Sequence, residues 1–150
     1  MNQTENWTKS YNFVKQWEGG FQDNPEDSGN WTGGRKGTGT LKGTNFGISA
    51  ASYPNLDIRN LTPQDAEDIY RRDYWQRSGA YQLEWPLCLL VLDTSVLHGV
   101  GAAQTWVHEV GTNPYKFAAR RLRVYTNSKN WSIFGRGWTN RAAALLEAMG

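Results

Sequence analysis

The run PLCLLVLDTSVLHG, residues 86–99, limits what this chain can fold into more than any other stretch. From Leu87 to Leu97 it is apolar on nearly every side, so a helix built from it has no face to give to water. It predicts a central helix that other helices must cover. A single carboxylate, Asp93, interrupts the run, with Leu89, Leu90, Val96 and Leu97 on or beside its face. A carboxylate in such a place needs a partner. Asp93 is therefore read as structural support, holding a helix N-terminus, an arginine or a loop. Cys88, the only cysteine, reads as a small core residue, and no intramolecular disulfide can form.

Other helices follow from period and punctuation. Residues 4–18 place Trp7, Tyr11, Val14 and Glu18 on one face, with Thr4 or Thr8 as cap and Gly19-Gly20 as stop. LTPQDAEDIYRRDYWQRSG predicts a helix capped by Thr62, with Pro63 at its first position and Gly79 at its end. Its inward stripe is Ala66, Ile69, Tyr70 and either Asp73 or Tyr74. Gly99 and Gly101 can break or kink the central segment, Gly111 and Asn113-Pro114 end the next, and NPYKFAARRLRVYTN and GWTNRAAALLEAMG complete the set. Between the first helix and the rest, residues 21–48 are rich in glycine, as hairpins and a ligand-facing loop require. The expected fold is mainly α (α+β): a helical domain with a small β/loop lobe around residues 20–50. It is read as one domain, 1–150, with the chemistry in residues 1–79 and a helical half at 80–150.

The stretch WEGGF carries the strongest chemical signal. Glu18 stands on the apolar face at the C-terminal end of its helix. Partial burial and the negative end of the helix dipole both disfavour its charged form, which suits a general acid. Glycoside hydrolysis uses two carboxyl groups across a sugar, and Asp23, Glu26 and Asp27 all lie beyond the glycines. Asp23 and Glu26 read as residues that solvate a turn, whereas Asp27 fits either role. GTNFGI offers Thr44 and Asn45 to position a water or a sugar hydroxyl. Eight Trp and seven Tyr are unusual in so polar a chain. They serve as core in about two-thirds of cases and otherwise as platforms for sugar rings.

Other chemistries find less support. His98 and His108 lack metal-ligand spacing, and no metal or other cofactor is expected. No G-x-S-x-G elbow supports a serine triad. The net charge of +2 does not argue for nucleic acid, and the arginines of IYRR and ARRLR read as solvated faces. No apolar stretch is long enough to span a bilayer, so no stable membrane insertion is expected. The polar N-terminus does not read as a signal peptide.

VKQWEGGF, GTNFGIS, LTPQDAEDIYRRDYW, LDTSVLHGVGAAQTWV and FGRGWTNR, taken in this order, resemble the glycoside hydrolase family 108 N-acetylmuramidases, lysozyme-like enzymes of phages and bacteria. The resemblance implies a lysozyme-like fold and a catalytic Glu at Glu18. Asp27 is the expected second carboxylate, since the nine-residue step from Glu18 to Asp27 is similar to that in phage-type lysozymes. Trp31, Thr44, Asn45, Phe46 and Tyr74 are the expected substrate contacts, with Asp93 in support. The second half resembles a segment described as peptidoglycan-binding. One departure stands out: DSGNWTGGRKGTGTLKGTNFGI contains an insertion, residues 28–43, that brings Trp31 and Arg35 beside the expected cleft. The implied enzyme is a monomeric muramidase acting on bacterial peptidoglycan, in the manner of a phage endolysin. It would be made in the host cytoplasm and let through to the cell wall by a separate pore. The rivals are a lytic transglycosylase and a non-catalytic peptidoglycan-binding or secretion-helper protein.

Overall fold

The computed structural model covers residues 1–150 and contains six α-helices and one two-stranded sheet. No helix is long and apolar enough to cross a membrane. Two compact units divide the chain: residues 1–14 with 71–150, and residues 15–70. The start of the first helix and residues 71–79 thus pack with residues 80–150. In α1 (Gln3–Trp17), Trp7 stacks on Tyr11 at 5.0 Å between centroids and meets Trp75 edge-on at 5.5 Å.

The cap of α1 is Asn2, not Thr4 or Thr8. Asn2 Oδ1 accepts from the Glu5 N–H at 2.9 Å, and Glu5 Oε2 accepts from the Asn2 N–H at 3.1 Å. This reciprocal box satisfies two donors at a helix start. The same device begins α2 (Pro63–Tyr70), where Thr62 and Asp65 exchange bonds of 2.9 and 3.1 Å. The Thr62 backbone N–H holds the Asp65 carboxyl below its usual range. Beyond Tyr70 the expected α-helix gives way to a π-helix over Arg71–Gln76. A π-turn takes in one more residue than an α-turn. The inward position therefore moves to Trp75, which is buried, while Asp73 and Tyr74 are half-buried.

In the helical unit, α3 (Leu87–His98) is buried continuously from Leu87 to Ser95, as its sequence demands. Gly99, at φ 94°, separates it from α4 (Val100–Val110), and Gly111 closes α4 at φ 74°. Asn113 caps α5 (Pro114–Thr126) through a 3.0 Å bond to the Lys116 N–H, and α6 (Trp131–Ala148) completes the unit. Asp93 of α3 is fully buried between two arginines. Arg121 of α5 reaches its Oδ2 at 2.7 Å, and Arg141 of α6 reaches its Oδ1 at 2.9 and 2.8 Å. Arg121 Nε also donates to the Tyr125 hydroxyl at 2.6 Å, which lies 3.0 Å from His98 Nε2. Burial, reinforced by the Arg121 charge, lowers His98 to about 4, so it is neutral at pH 7.

The second unit is built on a hairpin. Its strands β1 (Thr44–Asn45) and β2 (Ile48–Ser49) pair antiparallel, Thr44 with Ser49 and Asn45 with Ile48. Phe46 and Gly47 between them have φ of 52° and 76°. Two positive values define a type I′ turn, whose twist matches that of the strands. Gln22 pairs with Thr44, and Trp31 with Leu41. The 28–43 insertion is an ordered arm, closed by Thr32 N–H to Thr40 O and Gly33 N–H to Thr38 O, both 3.0 Å. Fewer aromatics are buried than expected. Of the Trp and Tyr residues, only Trp7, Trp75, Trp106, Tyr11, Tyr70 and Tyr125 are buried, because helix surfaces such as the start of α6 leave Trp131 in water.

Candidate active site

Glu18 follows the last residue of α1 and is half-buried. Its carboxyl group rests on the hairpin tip. A methyl group added to Gly47 would lie 2.8 Å from Glu18 Cδ, closer still to Glu18 Oε2, and 2.5 Å from the Tyr70 hydroxyl oxygen. The carboxyl and the phenol are therefore neighbours over one glycine, and only a residue without a side chain admits them both. Tyr70 is buried in the last turn of α2 and donates its hydroxyl hydrogen to the Phe46 carbonyl at 2.8 Å. Phe46 takes a left-handed backbone that costs a bulky residue about 1–2 kcal/mol. The Tyr70 bond holds that strained tip in place beneath Glu18.

Gly19 and Gly20, expected as the stop of the first helix, have neither positive φ nor a crowded environment. A Cβ on either would meet nothing within 4 Å. What they provide is open space directly after the acid.

Asp27 and Thr44 are brought into one network. Asp27 caps a short turn of 3₁₀-helix at Ser28–Asn30, its Oδ1 accepting from the Gly29 N–H at 2.9 Å. Its Oδ2 accepts from Gln22 Nε2 at 3.1 Å. Gln22 Oε1 in turn accepts from the buried amide of Asn30 at 2.6 Å, and Asn30 Oδ1 accepts from the Thr44 hydroxyl at 2.6 Å. Both carboxylate oxygens of exposed Asp27 thus have fixed donors, and each keeps a lone pair for water. Thr44 has spent its hydrogen on Asn30 and can only accept from a ligand.

The remaining expected contacts separate by burial. Asn45 is buried, and its amide donates to the Ile58 and Arg59 carbonyls at 3.1 and 3.3 Å. It fastens the loop at Ile58 and Arg59 to the hairpin. Phe46 is half-buried at the hairpin tip beside the acid. Trp31 is half-buried at the root of the arm, its indole N–H held by the Pro25 carbonyl at 2.9 Å. Tyr74 belongs to the helical unit, on its π-helical turn, and Asp93 lies in that unit's core. Asp23 and Glu26 form exposed ion pairs with Arg59 and Lys36, in keeping with residues that solvate a turn.

Sequence reasoning missed Gly47, Tyr70, Gln22 and Asn30. Tyr70 was legible only as an inward-facing residue, and Gly47 only as a turn glycine. Their meeting at Glu18 depends on contacts between residues distant in sequence.

The glycosyl hydrolase 108 family matches residues 11–99. Among solved structures, that of Brucella abortus SagA is similar, with a TM-score of 0.75 and 23% sequence identity over 97% of this chain and 94% of that one. This likeness establishes the fold, which is mainly α and lysozyme-like. No curated protein matches the sequence.

Proposed function

The chain belongs to the glycosyl hydrolase 108 family and is a glycoside hydrolase, and on that premise we propose that it cleaves the β-1,4 bond between N-acetylmuramic acid and N-acetylglucosamine in peptidoglycan. Family membership supports a muramidase-type peptidoglycan hydrolase. The observation that carries the residue assignment is the Glu18 carboxyl seated on Gly47 beside the Tyr70 phenol, with open space after it. In this reading Glu18 gives its proton to the glycosidic oxygen as the bond to the anomeric carbon breaks. Water adds at that carbon and releases a proton to a carboxylate. Tyr70 suits the acid form of Glu18. Its own hydrogen is engaged by Phe46, so its oxygen offers an acceptor to a protonated carboxyl. Asp27, held by Gly29 and Gln22, is the partner that steadies the positive charge or the water.

Mass spectrometry of digested sacculi tests the reaction. A muramidase leaves hydrated reducing ends. Products lighter by one water, with 1,6-anhydro ends, would make the protein a lytic transglycosylase instead. Sacculi that bind the protein without losing turbidity would leave only a binding role. The narrower role of phage endolysin belongs to the same proposal. Expression in a Gram-negative host should lyse cells when a pore-forming protein is co-expressed and spare them when it is not.

The seat of Glu18 gives a second test. Gly47→Ala puts a methyl group where Glu18 Oε2 and the Tyr70 oxygen now lie, at a φ of 76° that alanine tolerates poorly. Displacing the acid by about 1 Å is expected to lower kcat by about a hundredfold. Circular dichroism should still report the native helices. Wild-type kcat in the variant would mean that the Gly47 seat does not position the acid.

A further inference from the structure

The 15–70 unit carries eight acidic residues against five lysines and arginines, yet two of those cations meet at one cavity. The cavity is about 400 Å³ and lies between residues 41–42 and 55–59. That volume falls in the range of small-ligand sites. Lys42 and Arg59 supply positive charge, Asp57 a single carboxylate, and Leu41, Leu56 and Ile58 an aliphatic lining. No aromatic residue lines it, so it lacks the flat platform on which a sugar ring stacks.

Its charged groups are held in place before any ligand arrives. Lys42 Nζ is anchored on the Pro54 carbonyl at 2.7 Å, which leaves two of its three N–H donors for a ligand. Arg59 pairs with Asp23 at 3.1 Å, and its guanidinium lies 4.3 Å from the Phe21 ring centroid. Asp57 holds Asn60 through Oδ2 at 2.8 Å, and its other oxygen has no such bond. The walls are fixed too. The Lys42 N–H bonds the Asn30 carbonyl at 2.9 Å, and the buried Asn45 amide ties down the carbonyls of Ile58 and Arg59.

We propose that this cavity binds the acidic stem peptide of peptidoglycan, an inference that rests on the muramidase reading. Such a peptide is short, bears alanine methyl groups and has more carboxylates than amines. Its carboxylates match Lys42 and Arg59, a side-chain amine of a diamino acid matches Asp57, and its methyl groups match the leucines. The reach also agrees. Lys42 precedes Gly47, the seat of Glu18, by five residues, so even at full extension it stands within roughly 18 Å of that seat. A peptide of three to five residues on the muramic acid covers about 10–18 Å.

Two measurements test this on the full chain. The first compares KM on sacculus glycan strands that carry peptides with KM on strands stripped by an amidase. The wild type is expected to prefer peptide-bearing strands by about tenfold. Lys42→Met with Arg59→Gln should bring that ratio close to one while kcat on peptide-bearing strands is kept, and Lys42→Met alone should fall between. An unchanged ratio in the double variant, or none in the wild type, overturns the proposal. The second titrates free stem tetrapeptide into the Glu18→Gln protein and follows backbone amides by NMR. Shifts confined to residues 41–42 and 55–59 support the site. Shifts elsewhere, or equal shifts with inorganic phosphate, overturn it. Should neither kind of strand be cleaved, the muramidase reading fails, and the peptide titration still decides what the cavity binds.

Discussion

Glu18→Gln is expected to reduce peptidoglycan hydrolysis by about a thousandfold or more while leaving the fold intact. General acid catalysis by a positioned side chain contributes about 10²–10⁴-fold. An amide of the same shape keeps the contacts with Gly47 and Tyr70 but has no acidic proton to give. Stability should change little, because Glu18 lies beyond the last turn of α1, outside the buried face formed by Trp7, Tyr11 and Val14. Glu18→Asp provides the graded case. It keeps a carboxylic acid but withdraws it by one methylene from its seat, and about 1 Å of misplacement costs about a hundredfold. The order of rates should be wild type, aspartate, glutamine. Reducing-end release from purified sacculi checks it, with melting temperatures confirming that all three proteins are folded. Activity in Glu18→Gln above a few per cent of wild type would remove Glu18 as the acid.

The elements that could be read from the sequence depend on neighbours close along the chain. The all-apolar run from Leu87 required a buried helix, Gly99 and Gly111 ended helices with positive φ, and Thr62-Pro63 with Asp65 formed the expected start. Glu18 stood out as a candidate for the same reason, since its helical face and the following glycines lie within one short stretch. Other features escaped because their cause is distant. The Tyr70 bond to Phe46 spans 24 residues, and the Asn45 bond to Ile58 spans 13. Nothing local to Asn45 says that its amide is spent on a loop it has yet to meet. The π-turn after Tyr70 was also invisible, because amphipathic period alone continues the α-helix and so points to Tyr74 where the fold buries Trp75.

Asp93→Ala is expected to destabilise the protein by about 3–5 kcal/mol, the usual cost of removing one member of a buried ion cluster. Asp93 is fully buried, and the side chains of Arg121 and Arg141 are 1% and 8% exposed. Without the carboxylate, two guanidiniums of like charge remain in the core and lose the bonds that Asp93 gave them. His98 cannot compensate, because burial already keeps it neutral at pH 7. For a chain of this size the loss corresponds to a fall of roughly 6–20 °C in melting temperature. The cluster links α3, α5 and α6, and its pairs lie 28 and 48 residues apart in sequence. The motifs LDTSVLHG and FGRGWTNR, which carry part of the family resemblance, contribute Asp93 and Arg141 to it. A triple variant, Asp93→Leu with Arg121→Met and Arg141→Leu, separates the penalty of unpaired charge from the worth of the cluster. It removes all three charges and fills the space with apolar atoms, so its stability should return close to that of the wild type. Urea unfolding of the single and triple variants measures both quantities. A single variant as stable as the wild type would mean that water reaches the arginines. A triple variant as unstable as the single one would mean that the remaining bonds of Arg121, to Thr94 and Tyr125, hold the helices more firmly than apolar packing can.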